Sequence, residues 1–183
     1  MIYFYVVSTK YKTQPRKIYY VTLTVVGWMD VFTRKDYVNI IFDSIRYCQA
    51  NKGLELFAYV VMPNHLHLIC QTGERSLNDV LRDMKSHTAK TIVDAIAANR
   101  QESRREWLLH LFEYYGRGNS QNKNFQFWQH GSHPIELYTQ EVIVQKLRYL
   151  HNNPVKAGIV TEPHHYLHSS AHPDRELNIV DLW

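Results

Sequence analysis

Two histidines separated by one hydrophobic residue are the first feature of the sequence that could do chemistry. His65-Leu66-His67 lies in an apolar run that predicts a β-strand. Because side chains alternate between the two faces of a strand, both imidazoles would lie on one face, where they could bind one metal ion. Taken alone, the motif leaves a second interpretation open and favours it, namely that both residues are ordinary core or edge histidines.

A tyrosine and an asparagine four residues apart form the second candidate. In the stretch YLHNNPVKAG (149–158), Tyr149 and Asn153 would share nearly one face of a helix that Pro154 must end. Tyr149 would point roughly 100° away from the centre of the apolar stripe of this helix. The alternative is a half-buried tyrosine followed by a C-capping asparagine before proline.

The elements that must position these residues follow from apolar spacing and from signals at helix ends. Thr33 is the expected cap of the first helix, and Ser76 with Asp79 forms a capping box for the second. The predicted strands cover 18–26, 54–62 and 65–71, and residues 125–128 and 134–138 are expected to contribute a further strand. The predicted helices cover about 34–50, 76–98, 102–115 and 139–153. This order predicts an α+β fold with a ferredoxin-like antiparallel sheet, helices on its faces, and the histidine pair on a central strand.

Length and composition set the limits for the class of protein. The 183 residues suit one domain over 1–183, with its core at about 17–170, and the hydrophobic share of 45% is ordinary for a globular chain. No apolar run reaches the ~18 residues that span a bilayer, so no membrane contact is expected. Cys48 and Cys70 cannot form a disulfide framework, which favours the reducing cytoplasm. The net charge of +4 is mildly in favour of a polyanionic partner.

Together, the two motifs make the sequence resemble a known family. It is similar to the single-tyrosine transposases of the histidine–hydrophobe–histidine superfamily, and in particular to the REP-associated tyrosine transposases. The resemblance covers about Lys17 to Ser170. It rests on the stretches YVVMPNHLHLI (59–69), LRDMKSHTAK (81–90), the FW of FQFWQ (125–129), and KLRYLHNNPVKAGIV (146–160) followed by HSSA (168–171).

The resemblance implies a reaction and a role for each motif. Tyr149 would be the nucleophile, and His65, His67 and Asn153 would hold a divalent ion, Mg²⁺ or Mn²⁺. The implied activity is metal-dependent cleavage and strand transfer of single-stranded or hairpin DNA through a 5′-phosphotyrosine, in transposition or in the processing of hairpin repeats. A homodimer is favoured over a monomer.

Two other functions compete with this interpretation. The first is a domesticated module that binds structured nucleic acid without turnover. The second is a histidine-metal hydrolase of small phosphoesters, although the sequence lacks an evident aspartate cluster for it and leaves the tyrosine unexplained.

Basic residues outside the two motifs are candidates for DNA contact. Three of them lie on the second long helix away from its apolar stripe, and two flank a Gly- and Asn-rich loop; a solvated basic face and a disordered loop are the respective alternatives. These residues are Arg82, Lys85, Lys90, Arg117 and Lys123. The mixed-charge run RQESRRE (100–106) is expected to be solvated, and Trp128 is expected in the core rather than on a base.

One stretch departs from the family pattern. Many relatives carry an aromatic–acidic–histidine cluster shortly after the Trp-Gln pair, whereas here Gln129 is followed by HGSHPIEL. His133 is either a substitute for that cluster or an ordinary surface histidine before proline.

Overall fold

The structure is a computed structural model that describes residues 13–117 and 124–182, so the predicted DNA contact Lys123 lies outside the described residues. The strands are β1 (Tyr19–Thr24), β2 (Leu54–Met62), β3 (His65–Thr72) and β4 (Ile135–Glu136). The helices are α1 (Lys35–Lys52), α2 (Leu77–Ala98), α3 (Arg105–Gly116), α4 (Gln140–His151) and α5 (Asn153–Lys156), with 3₁₀ turns at Val26–Trp28 and Pro163–His165.

The four strands form one antiparallel sheet in the order β2-β3-β1-β4. A two-residue turn, Pro63-Asn64, joins β2 to β3 as predicted, and β3 lies between β2 and β1. In the register of β1 and β3, Thr22 is opposite His67 and Thr24 is opposite His65. The predicted α+β fold with a ferredoxin-like antiparallel sheet is thereby confirmed.

Helices cover both faces of the sheet, which explains why β2 and β3 are buried almost throughout. On one face, Leu66 and Leu68 of β3 belong to the larger core, which includes buried residues of α1, α2 and α3. On the other face, Ile69 belongs to a smaller core with Leu150 of α4. The alternation along β3 therefore directs both histidines to the α4 side of the sheet. In the described parts of the chain, no helix has the length and apolarity needed to cross a membrane.

Two predicted helix caps are wrong in detail. Helix α1 begins one residue later than expected, with Arg34 at its N-cap position, and the Thr33 hydroxyl instead donates to the carbonyl oxygen of Asp30 at 3.4 Å. Ser76 does occupy the N-cap position of α2, but its side chain makes no capping hydrogen bond. The backbone N–H of Asn78 donates to the Thr13 hydroxyl at 3.2 Å, so a residue distant in sequence caps this helix.

The aromatic stretch before the divergent segment is also not a regular strand. Residues 125–128 contribute a single isolated bridge, from Val25 to Trp128. The Trp128 side chain is buried, stacks on Phe32, and donates its indole N–H to the Thr88 hydroxyl at 3.0 Å. It is a core residue, and among the described residues only the short β4 extends the sheet at this edge.

The C-terminal segment covers the free edge of β2. Val61 donates its backbone N–H to the carbonyl oxygen of His168 at 2.9 Å, and Ser170 donates to that of Tyr59 at 2.9 Å. The Ser170 hydroxyl also contacts Nε2 of His151 on α4 at 2.8 Å. The HSSA stretch therefore joins the edge strand β2 to α4, which is a structural role.

The expectation that residues 100–106 are only solvated is wrong at one position. Glu102 has a fully buried carboxylate that accepts from the guanidinium of Arg34 at 2.6 Å and from that of Arg104 at 3.1 Å. Because these three residues close the connection from α2 to α3, helix α3 begins at Arg105 rather than at Glu102. Burial by itself would raise the pKa of Glu102, but the hydrogen bonds from Arg104 and Arg34 outweigh it and hold the pKa at about 2.

We expect Glu102→Gln to lower the free energy of unfolding at pH 7 by about 3 kcal/mol. This is the lower end for a broken buried ion pair, because both guanidiniums are about a third exposed and can be hydrated. The folded-state pKa lies below the ordinary value of 4.5, so this stabilisation is present above that pH and is lost as the pH falls toward 2. Urea unfolding between pH 7 and pH 2.5 measures it, with Glu106→Gln, whose side chain is 92% exposed, as the matched control. A difference from wild type that did not shrink in acid would contradict the ionic origin.

Candidate catalytic site

The two histidines of β3 lie side by side, with ring centroids 4.8 Å apart. Nδ1 of His65 is 2.7 Å from the side-chain oxygen of Asn64. Nδ1 of His67 is 2.9 Å from the hydroxyl of Thr22, which the strand register places opposite it. An amide oxygen only accepts, so His65 carries its proton on Nδ1, and Nε2 keeps its lone pair. The Thr22 hydroxyl can hold His67 in the same tautomer, which leaves both Nε2 atoms for a metal.

Both imidazoles are held in the neutral form. Burial lowers the pKa of His65, and a hydrogen bond with the Asn153 side chain opposes that effect in part. Burial lowers the pKa of His67 to about 3, and the neighbouring His65 and Lys146 add to the shift. A metal binds the unprotonated ring, so both side chains could serve as metal ligands at neutral pH.

Tyr149 and Asn153 reach the histidine pair from the facing helices. Thr139 caps α4 as predicted, since its hydroxyl accepts from the backbone N–H of Val142 at 3.3 Å. Near the other end of α4, the Tyr149 ring lies 6.0 Å from that of His67 and is 44% exposed. The helix ends before Pro154, and Asn153 is the first residue of the short α5, where its side chain contacts His65. The structure therefore brings all four predicted residues together.

The donor set of this cluster can hold a divalent cation only with the amide included. Within residues 13–117 and 124–182, no group of three or more histidine, cysteine, aspartate or glutamate side chains is arranged to bind a metal ion. Two imidazole nitrogens and the side-chain oxygen of Asn153 make a three-ligand set that fits such an ion. All three donors are neutral, so the protein leaves the charge of the cation uncompensated, as suits a site for an anionic substrate.

Three residues that the sequence analysis did not single out complete the surroundings of Tyr149. Tyr20 of β1 stacks on His67, with centroids 5.2 Å apart, and burial together with the nearby Tyr149 raises its pKa, which keeps it a neutral phenol. The Nζ atoms of Lys146 and Lys156 lie 5.7 and 4.8 Å from the centre of the Tyr149 ring. Lys146 precedes Tyr149 by three residues on α4, and Lys156 follows it by seven residues on α5. A basic residue three positions from Tyr149 on one helix is the signal that could have identified Lys146.

The basic residues predicted on α2 lie away from this cluster. Helix α2 packs on the face of the sheet opposite to α4. Arg82 is paired with Asp79 at 2.6 Å and with Asp83 at 3.0 Å. Lys85 is only partly exposed and donates to the backbone carbonyl oxygens of Gln129 at 2.9 Å and Gly131 at 3.2 Å; burial lowers its pKa to about 8.

The remaining predicted DNA contacts in the described residues are exposed. Lys90 is exposed on α2, and Arg117 follows the last residue of α3 with 70% of its side chain exposed, 3.9 Å from Glu113. Neither residue lies on α4 or α5, the helices that carry Tyr149 and Asn153.

One family model matches more than half of the chain. The family model described as IS200-like transposase matches residues 17–131. A solved structure of a REP-associated tyrosine transposase bound to a REP hairpin superposes with a TM-score of 0.64, at 17% identity, over 91% of this chain and 84% of that chain. At that identity the likeness establishes the fold alone.

One other solved structure and the curated proteins do not extend the family assignment. A protein from Deinococcus radiodurans, provisionally assigned as a transposase, superposes at 19% identity over 79% of this chain and 96% of that chain. Its TM-score of 0.46 is too low to support a conclusion about this chain. No curated protein matches the chain.

Proposed function

The chain belongs to the IS200-like transposase family, and from this premise we propose that it cleaves and rejoins single-stranded DNA through a covalent bond to Tyr149. The observation that carries the proposal is the convergence of an exposed tyrosine and two neutral histidines on one face of the sheet. The substrate we propose is a DNA hairpin with single-stranded flanks, and this proposal is supported by the REP-associated relative, which is bound to a REP hairpin in its structure.

In the proposed reaction, the Tyr149 oxygen attacks the phosphorus of a DNA phosphodiester. A bond from the tyrosine oxygen to phosphorus forms, the bond from phosphorus to the 3′ oxygen breaks, and the strand is left with a 5′-phosphotyrosine and a free 3′-OH. The phenol proton can pass to water, because Tyr149 is 44% exposed, and the leaving 3′ oxygen takes up a proton from water. A 3′-OH can reverse the attack without an external energy source, since phenolate is a good leaving group. This reversibility favours strand transfer over simple hydrolysis.

A divalent cation, Mg²⁺ or Mn²⁺, would be held by His65, His67 and Asn153. When bound, it would supply positive charge against the phosphate oxygens and orient the phosphorus. Two features of the site support this proposal. Asn64 and Thr22 fix the orientation of the two imidazole rings, and burial keeps both rings unprotonated.

Lys146 and Lys156 have a proposed role beside Tyr149. Their ammonium groups flank its ring and bring positive charge to the nucleophile. We propose that they attract the scissile phosphate and stabilise the phenolate when the bond to DNA breaks.

A covalent trapping experiment tests the proposed function. The protein is incubated with labelled hairpin DNA from the flanks of its own gene, with Mg²⁺ or Mn²⁺, and separated under denaturing conditions. We expect a protein–DNA adduct, and its absence with every such hairpin would favour a nucleic-acid-binding module without turnover.

A homodimer is the assembly that we propose, and light scattering of the purified protein measures it.

We further propose that Arg82, Lys85, Lys90 and Arg117 contact DNA phosphates, and the salt dependence of binding tests this. Alanine at Arg82 or Lys90 should weaken binding to all sequences and reduce the slope of log affinity against log salt by about 1. Lys85→Ala should do more, because it also frees the backbone at Gln129 and Gly131. Arg46→Ala, a basic residue of α1 outside the predicted set, is the control. If the alanine variants of Arg82 and Lys90 kept the wild-type salt slope, the DNA would have to bind on the side of the sheet that α4 covers.

A further inference from the structure

An exposed tryptophan lies directly beside the histidine pair. Trp28 is 60% exposed, and its ring meets that of His65 edge to face, with centroids 5.9 Å apart. The carbonyl oxygen of Trp28 accepts from the side-chain amide of Asn64 at 3.3 Å, and the oxygen of the same amide holds Nδ1 of His65. One asparagine therefore fixes both the exposed tryptophan and the candidate metal ligand.

The backbone at this position keeps the indole outside the core. Trp28 has a φ of 55°, directly after Gly27 with a φ of 62°. A bulky residue rarely adopts this left-handed conformation. The fold thus holds a large aromatic side chain in solvent, on a strained backbone, at the edge of the site.

Two more exposed aromatic residues continue from Trp28 along the surface. The Tyr115 side chain, 40% exposed, packs against Gly27, where an added Cβ would come within 2.8 Å of the Tyr115 hydroxyl. The ring of Tyr114, 62% exposed, lies 5.7 Å from that of Tyr115. We name Trp28, Tyr115 and Tyr114 the aromatic track. The exposed Arg117 follows it in the chain.

We propose that the aromatic track binds unpaired bases of the DNA strand that runs to the scissile phosphate, by stacking them on its rings. This inference rests on the proposed function, which places that phosphate at Tyr149 and the histidine pair. Aromatic faces accept any base, but only bases outside a duplex have free faces to offer. Arg117 adds a positive charge for the backbone of the same strand, and the contact with His65 makes the track continuous with the site.

Binding of a 12-nucleotide thymidine strand with one central 2-aminopurine, compared with a 12-base-pair duplex, tests the proposal. Tyr149→Phe is used as the parent protein, so that binding is measured without cleavage. Trp28→Asn removes the indole and suits the left-handed backbone, because asparagine adopts it more readily. We expect it to weaken single-strand binding by about 5- to 140-fold, the range for loss of one base–aromatic stack, and to remove the quenching of 2-aminopurine. Duplex binding should not change.

Three further variants control the result. Trp28→Phe and Tyr115→Phe keep a ring and should retain most of the affinity and the quenching. Trp107→Ala removes a different tryptophan, which lies on α3 and is 53% exposed. This variant should bind both DNAs with the affinity of the parent protein. Circular dichroism melts verify that each variant is folded.

The outcomes separate this inference from the proposed function. Two results would overturn the aromatic track and leave the proposed function intact. One is an unchanged single-strand affinity in the folded Trp28→Asn variant, and the other is an equal loss of affinity for the single strand and the duplex. A parent protein that binds neither DNA overturns the aromatic track, whereas the proposed function fails only if no hairpin from the flanks of the gene gives a covalent adduct.

Discussion

Replacement of Tyr149 by phenylalanine is expected to abolish the covalent protein–DNA adduct completely. The change removes one oxygen atom, which is the proposed nucleophile, and it keeps the ring that lies against His67 and under the Lys156 ammonium. Because the Tyr149 side chain is 44% exposed, the fold loses little and the melting temperature should barely change. The measurement is a denaturing gel of the protein with labelled hairpin DNA and a divalent cation, followed by peptide mapping of the labelled residue.

The choice of control tyrosine depends on the structure. Tyr138 is 77% exposed, so Tyr138→Phe should keep full adduct formation. Tyr166 is a poorer control, because its buried hydroxyl donates to the carbonyl oxygen of Val61 at 2.8 Å and its loss would lower stability. An adduct that persisted in Tyr149→Phe would show that another tyrosine is the nucleophile.

The second large effect is expected at the histidine pair. His65→Gln or His67→Gln should reduce the rate of adduct formation by about 10³-fold or more, because each removes an imidazole from the proposed metal site and with it charge stabilisation worth several kcal/mol. DNA binding in the absence of cleavage should remain largely intact. The two effects can be measured on one preparation, by adduct kinetics and by DNA affinity.

Metal binding itself provides a readout besides activity. The electron paramagnetic resonance signal of free Mn²⁺ should fall on addition of wild-type protein with DNA and should persist with either histidine variant. His87→Gln is the control, since His87 is exposed on α2, on the far side of the sheet. Manganese binding by the His65→Gln and His67→Gln variants at wild-type affinity would contradict the ligand assignment. We also expect Mn²⁺ to act at lower concentration than Mg²⁺, because imidazole nitrogen is a poor ligand for Mg²⁺.

The features that the sequence determined by itself are those that follow from local periodicity. A two-residue repeat places His65 and His67 on one face of a strand whatever the rest of the chain does. A four-residue spacing brings Tyr149 and Asn153 near one another. Thr139 and Pro154 delimit the helix that carries Tyr149, because a threonine cap and a proline break both act within one turn. The order of strands and helices was sufficient for the ferredoxin-like sheet, since few topologies connect those elements without crossings.

The tertiary structure alone decided what lies across from these residues. Thr22 holds His67 because of the register between β1 and β3, which no local pattern encodes. Thr13 rather than Ser76 caps α2, and the buried Glu102 binds two arginines, one of them 68 positions away in sequence, because chain packing competes with local preference and wins where it satisfies more buried polar groups. The exposed position of Trp28 beside His65 is also a result of tertiary packing. A left-handed backbone and the Asn64 side chain hold Trp28 there, and both depend on how the β2–β3 turn packs against the end of β1.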